Sequence, residues 1–252
     1  MRNKSTSWQK VAPWYNKVTR GGEGHYYHQH VVIPGVLKLL ALSPDSNLLD
    51  LACGNGVLAK SLPKSVKYTG IDLADSLIKH AKNEDKNYNH KYIVSDITKP
   101  LNLPETFTHA AIILALQNIE DPEAVLRNAS KLLIGNCKLI IVLNHPMFRI
   151  PRQSSWGIDE ARKIQYRRVD KYMSPMDIPI RMNPSDPQSE QTTSYHFPLS
   201  DYSKMLKSAG FVIELIEEWT SDKESVGRAG RMENRSRNEI PLFMAIKASK
   251  TI

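Results

Sequence analysis

The amino-acid sequence predicts an α/β protein: a doubly wound, mostly parallel sheet of seven strands, closed at one edge by an antiparallel C-terminal hairpin. Three observations carry this. Strand and helix signals alternate from about residue 25, the pattern of βαβ units whose crossovers cover both faces of a parallel sheet. The run 110–116 is almost wholly apolar, as a strand buried on both faces must be. The last two strand signals, 211–219 and 242–248, have no helix signal between them, so they pair as a hairpin.

Each element has its own reason. Residues 26–42 place Val32, Val36, Leu39 and Leu40 at helical spacing, with Pro34 and Gly35 as a kink. Ser43 to Ser46 is a turn. Residues 48–51 form the first strand, and 57–62 open the helix that follows. Residues 66–71 form the second strand, ending at Asp72, with a helix over 76–82. Residues 92–94 form the third, followed by Ser95 and Asp96. After 110–116, Asp121 caps a helix that has Pro122 in its first turn, runs to about 133 and is closed by Gly135. Residues 138–143 are the fifth strand. A long proline-containing stretch without periodicity, 144–198, reads as a functional loop. Residues 200–209 form a helix with Ser200 as N-cap and Gly210 beyond its end, and the link 220–238 is basic and polar. The chain divides into an N-terminal helical lid segment, 1–45, and a domain over 46–252 that carries 144–198 as an insertion.

Composition narrows the class. The 252 residues are 41% hydrophobic and 24% charged, ordinary for a globular chain that buries a core unaided. Lys and Arg exceed Asp and Glu by 34 to 26, a basic surface short of a nucleic-acid footprint. Cys53 and Cys137 belong to no metal-type pair or disulfide framework. No apolar stretch follows the N-terminal charges and none is long enough to span a membrane, so a cytoplasmic monomer or homodimer is expected.

The chemistry concentrates in Leu48-Leu49-Asp50-Leu51-Ala52-Cys53-Gly54-Asn55-Gly56. A strand runs into a glycine turn, where bare backbone N–H groups can approach a ligand closely. Asp50, at the strand's end, can face a cation such as a sulfonium ligand bearing an α-amino group. Ligands of doubly wound sheets bind beyond the carboxyl ends of the strands, and Asp50, Asp72, Asp96 and Gln117 all fall there.

At this point the sequence resembles the class I S-adenosylmethionine-dependent methyltransferases, Rossmann-like enzymes, over roughly residues 47–145. Within them it looks most like the small-molecule branch of the ubiquinone and menaquinone biosynthesis enzymes. The residues that carry this are 50–56, Gly70-Ile71-Asp72-Leu73-Ala74, Ser95-Asp96-Ile97 and Ala115-Leu116-Gln117-Asn118-Ile119. The resemblance implies S-adenosyl-L-methionine as cofactor. The loop from Ala52 through Cys53, Gly54 and Asn55 to Gly56 would approach its methionine part, with Asp50 near the amino group. Asp72 would accept from both ribose hydroxyls and Leu73 would pack on the adenine. Ser95, Asp96 and Ile97 would meet the adenine's amino group and edge, and Leu116 and Gln117 would lie near the methyl donor. Before the first strand, Tyr15, Tyr26, Tyr27 and His28 would line the pocket as part of a lid.

Methyl transfer from a sulfonium needs alignment and desolvation above all, and a base only where the acceptor keeps its proton. His145, directly after the fifth strand, is the favoured base, with His28 second; His25, His30 and His196 are further candidates. Arg149, Arg152, Trp156, Tyr166, Arg167, Arg168 and Tyr172 place arginine beside aromatic rings, which suits a planar or anionic small-molecule substrate. No metal is expected. Three alternatives stay open. The arginines 228, 231, 235 and 237 fit an RNA or protein methyltransferase, although Gln117-Asn118-Ile119-Glu120 stands where an Asn-Pro-Pro-Tyr type signature would serve amino-group methylation. Gly54 to Ala59 also fits G-x-G-x-x-A of a nicotinamide dehydrogenase. A non-catalytic cofactor-binding scaffold is the third.

Overall fold

A computed structural model describes residues 8, 9, 11, 12, 26–181 and 188–250. Its centre is a seven-stranded sheet in the order β10-β11-β5-β4-β1-β2-β3. The strands are β1 (Asn47–Leu51), β2 (Lys67–Asp72), β3 (His90–Val94), β4 (Phe107–Ile113), β5 (Leu133–Asn144), β10 (Phe211–Trp219) and β11 (Phe243–Lys250). The first five run parallel, and β11 lies antiparallel to both β5 and β10. The expected class and edge hairpin are therefore present. The described helices are α1 (Ile33–Leu40), α2 (Asp75–Glu84), α3 (Pro122–Leu132), α4 (Leu199–Ser208) and α5 (Gly230–Glu239).

Strand alternation divides the core. Leu49, Leu51, Ala110, Ile112, Leu139 and Ile141 face α3 and α4 through Val125, Leu126, Ala129 and Leu206. Leu48, Ala111, Ile140 and Val142 face the other way, onto Val32, Val36, Leu39 and Leu40 of the first helical segment. With both faces covered, polar ligands reach the sheet at its strand ends.

The kink at Pro34 takes a specific form. Residues His28–Val32 are a π-turn in which the Ile33 amide reaches back to the His28 carbonyl, before α1 resumes regular spacing. Proline crowds the preceding turn and donates no bond, and a wider turn relieves both problems. Gly35 has a packing reason: a Cβ there would lie 2.5 Å from the Trp219 ring.

Several sequence expectations are corrected. The helix over 57–62 is only a 3₁₀ turn, Ala59–Ser61, because Leu62 precedes Pro63 and is extended at ψ 147°. The strand expected over 110–116 stops at Ile113, where Leu114 turns left-handed at φ 52°. Gly135 closes no helix, since Leu133 passes directly from α3 into β5. Ser200 does not cap α4; Pro198 holds that position with no side-chain bond. The stretch 144–198 contains two hairpins, β6 (Ser154–Asp159) with β7 (Ile164–Val169), and β8 (Met176–Arg181) with β9 (Gln191–His196). The link 220–238 contains α5, which is tied to β7 by Ser236 Oγ donating to Gln165 Oε1 at 2.6 Å. No helix among the described residues is long and apolar enough to cross a membrane.

Candidate active site

The carboxyl ends of β1, β2, β3 and β4 form one rim. At β1 the chain turns left-handed at Ala52 (φ 61°), Gly54 (φ 56°) and Gly56 (φ 76°). Only glycine adopts this readily, so Ala52 is a strained point, of the kind that persists where the surroundings fix it. Asp72 at the end of β2 clamps the loop. Its Oδ2 accepts from the Gly54 amide at 2.9 Å and its Oδ1 from the Ala74 amide at 2.8 Å. Burial raises the Asp72 carboxyl above its ordinary value, opposed by these backbone bonds.

Asp50 lies beneath the loop, 2% exposed, and accepts from the Tyr68 hydroxyl at 2.8 Å. Burial pushes its carboxyl up to about 7, against the pull of that bond. Gly70 makes the contact possible, because a Cβ there would sit 2.7 Å from the Tyr68 oxygen and 2.8 Å from Cys53 Sγ. A second tier lies below. Tyr92 donates to Asp85 at 2.6 Å, His90 meets the same oxygen at 2.6 Å, and a Cβ on Gly56 would come within 2.9 Å of the Tyr92 oxygen. The loop thus rests on two tyrosines.

After β3, Asp96 folds on itself, its Oδ1 accepting from the Thr98 amide at 2.9 Å and hydroxyl at 2.7 Å. Ile97 is buried, and its carbonyl accepts from Asn128 of α3 at 2.8 Å. Ser95 donates its amide to the Asp72 carbonyl at 3.0 Å. After β4, the Gln117 amide nitrogen donates to the Leu114 carbonyl at 2.9 Å, while its Oε1 is sealed from solvent with no hydrogen-bond partner. Leu116 is fully buried, Asn55 is buried beside the loop, and Leu73 is 41% exposed next to Asp72.

The neighbouring strands β5 and β11 carry the second part. His145 is 5% exposed, and both ring nitrogens are engaged. Nε2 meets Glu218 at 2.7 Å, and Nδ1 accepts from the Met147 and Phe148 amides at 3.2 and 3.3 Å. Burial holds its pKa below the usual value. The ring braces the start of the insertion. Arg149 places its guanidinium 5.1 Å from the Phe243 ring centre, and Tyr27 packs on the same ring at 5.8 Å. Tyr27 also shares a 3.0 Å bond with Ser221. Arg167 lies 5.2 Å over Trp156 and donates to the Phe148 carbonyl at 2.7 Å.

Other candidates fall elsewhere. Tyr172 is a strut, accepting from the Leu199 amide at 3.0 Å and, through its carbonyl, meeting His196 at 2.7 Å. Arg168 is paired with Asp170 at 2.7 Å. Arg152 is exposed, left-handed at φ 62°, and lines an open cleft of about 480 Å³ with Pro151, Pro179, Ile180, Arg181 and Gln191. His28 is half-buried in the π-turn and His30 stacks on Tyr26 at 4.2 Å. Tyr15 and His25 lie outside the described residues. Among the described residues no group of three or more His, Cys, Asp or Glu is placed to hold a metal ion.

Comparison with known proteins points the same way as the geometry. Residues 49–141 match the family described as "Methyltransferase domain". Over that span the chain is similar to methyltransferase domains. It is 30% identical over 93 residues to the ubiquinone biosynthesis O-methyltransferase of Colwellia psychrerythraea, a match covering 35% of this chain and 37% of that protein. In overall fold it is similar to an S-adenosylmethionine-dependent methyltransferase from Mesorhizobium loti. There the TM-score is 0.68 at 22% identity, covering 86% of this chain and 96% of the other. A glycopeptide N-methyltransferase crystallised with S-adenosylmethionine shares the fold at TM-score 0.57 and 15% identity, covering 86% and 92%.

Sequence reasoning missed part of this candidate site. Tyr68, Asp85 and Tyr92 support the loop from strand interiors and a helix end, and Glu218 and Phe243 come from the far edge of the sheet. Tyrosine in place of an aliphatic residue in two buried strand positions was the available signal. Nothing local marked Glu218, which stands 73 residues from His145.

Proposed function

We propose that this protein transfers a methyl group from S-adenosylmethionine to a small-molecule acceptor. The observation that carries the reading is the Asp72–Gly54 clamp, which places a carboxylate and a glycine turn on one rim at the ends of adjacent strands.

The residues present fit this donor. Asp72 takes backbone amides on both oxygens, and a carboxylate with about four lone-pair sites still has capacity to accept from ribose hydroxyls. Leu73 offers exposed apolar surface beside it for a planar base. Gln117, in the turn after β4, keeps a buried side-chain oxygen without a hydrogen-bond partner, an acceptor that a ligand amine would satisfy. Asp50, charged, would favour an α-amino cation beneath the loop, and such a cation would in turn pull the carboxyl back down. S-adenosylmethionine, when bound, supplies an activated methyl carbon on a sulfonium. The chain's contribution is then to hold that carbon in line with the acceptor and to exclude water. His145 is not needed as a base in this reading.

The small-molecule acceptor is supported by the relationship to a ubiquinone biosynthesis O-methyltransferase and by the way the basic surface is used internally. Arg237 pairs with Glu233 at 3.6 Å and Arg235 donates to the Lys163 carbonyl at 3.4 Å. The test is label transfer from methyl-tritiated donor into a cell extract separated by size. Label in the small-molecule fraction is the expected result; label confined to RNA or protein contradicts it.

A further inference from the structure

We propose that Arg149, with Arg167 beside it, seats an oxyanion carried by the methyl acceptor, so that the substrate is a planar, anionic molecule such as an aromatic carboxylate or aryl phosphate. This rests on the methyl-transfer reading above and names the substrate class of the same site.

The geometry is that of a cation held ready. Arg149 follows β5, and Phe243 opens the antiparallel β11, so both lie at the edge where the parallel strands end. The guanidinium packs over the Phe243 ring at 5.1 Å, and Phe243 is itself 3% exposed. Among the described residues no carboxylate lies within ion-pair distance of Arg149, and no hydrogen bond fixes its side chain. By contrast, Arg168 with Asp170 and Arg162 with Asp159 join exposed guanidinium groups to an acid. Arg149 is half-buried and packs over the Phe243 ring. Its nitrogens are not among the polar atoms sealed from solvent without a partner.

A second cation reinforces it. Arg167 is anchored through Nε to the Phe148 carbonyl at 2.7 Å and through one Nη to Ser154 Oγ at 2.9 Å. Burial lowers the Arg149 pKa, Tyr27 opposes this, and the charge of Arg167 adds a smaller lowering. Two partly desolvated like charges without an acid are unfavourable in isolation, and an oxyanion between them removes the cost. The fork of a guanidinium matches a carboxylate or phosphate through two parallel bonds. The rings of Tyr27, Phe243 and Trp156 around the pair suit a flat body attached to that anion.

The donor also carries a carboxylate, so the experiment separates the two sources. The wild-type protein and Arg149→Met are titrated with benzoate, phenyl phosphate and neutral benzyl alcohol, with and without saturating S-adenosylhomocysteine, by tryptophan fluorescence and thermal shift. Benzoate or phenyl phosphate should bind wild type at least tenfold more tightly than benzyl alcohol. Arg149→Met should abolish that preference while leaving the affinity for S-adenosylhomocysteine within about twofold. Equal binding of the anions and the alcohol, or an anion preference that survives Arg149→Met, overturns the proposal. So does a variant that loses its preference for S-adenosylhomocysteine over 5′-methylthioadenosine, since the site would then hold the donor's own carboxylate. If Arg149→Met does not fold, Arg149→Lys, which keeps the charge without the fork, should weaken both anions and is read by the same criteria. Failure of S-adenosylhomocysteine to bind wild type defeats the methyl-transfer reading, and the anion titrations without it still decide the role of Arg149.

Discussion

The rim over β1 to β4 and the insertion after β5 both begin where the parallel strands end, but they are built by different means. The rim is made by backbone. Asp72 binds two amides, Ala52, Leu114 and the two glycines turn left-handed, and the loop rests on Tyr68 and Tyr92. The insertion side is made by side chains from distant parts of the chain. Arg149 meets Phe243, Tyr27 meets Ser221, and His145 meets Glu218. Backbone geometry tolerates few substitutions, whereas side-chain contacts can be exchanged one at a time. In the proposed reading the backbone-built rim would hold the methyl donor and the side-chain-built insertion would meet the acceptor.

The comparison can be broken first at Asp50. Its folded-state carboxyl stands at about 7 against an ordinary 3.8, so its burial costs nothing below pH 4 and removes stability as pH rises to about 7. Asp50→Asn keeps an acceptor for Tyr68 and should melt with wild type at pH 4. At pH 8 it should be more stable, by up to about 4 kcal/mol without ligand. Wild-type affinity for S-adenosylhomocysteine should rise between pH 6 and 8 as Asp50 ionises, and that rise should vanish in Asp50→Asn. Identical pH profiles of melting for the two proteins would show that Asp50 is not strained by burial.

Gly70→Ala should come next, at about 1–3 kcal/mol, because the new methyl displaces the buried Tyr68 hydroxyl and Cys53. Chemical denaturation measures it, and a donor affinity that falls along with stability would tie the loop to its tyrosine support. The smallest effect is expected on the insertion side. His145→Gln should lower stability by about 1 kcal/mol and leave the pH profile of methyl transfer unchanged. Loss of an inflection from that profile would restore His145 as a base.

The same contrast explains what the sequence could show. The rim is local: each acid follows an apolar run directly, so strand, turn and carboxylate are read together at Asp50, Asp72 and Asp96. The short 3₁₀ turn at Ala59–Ser61 was hidden because Val57 and Leu58 are as apolar as a true helix would need, and only Pro63 spoke against it. The insertion hairpins were hidden by polarity and by Pro179, which sits in β8 opposite Thr193 in a sheet of two edge strands, where a missing donor is tolerated. Helix α5 has almost no apolar face. It is held by Asn234, which bonds both the amide and the carbonyl of Ser225 at 2.7 and 3.0 Å, and by its contact with β7. Such tertiary bonds leave no periodicity to read.

The central claim is that Asp72 and its loop hold an adenosine-bearing methyl donor, and isothermal titration of wild type and Asp72→Ala with S-adenosylhomocysteine tests it most directly. Wild type should release measurable heat with one site per chain, and Asp72→Ala should bind at least tenfold more weakly, the loss of one charge-assisted bond of about 1.5–3 kcal/mol. Unchanged affinity in the variant, or no heat from wild type, would contradict it.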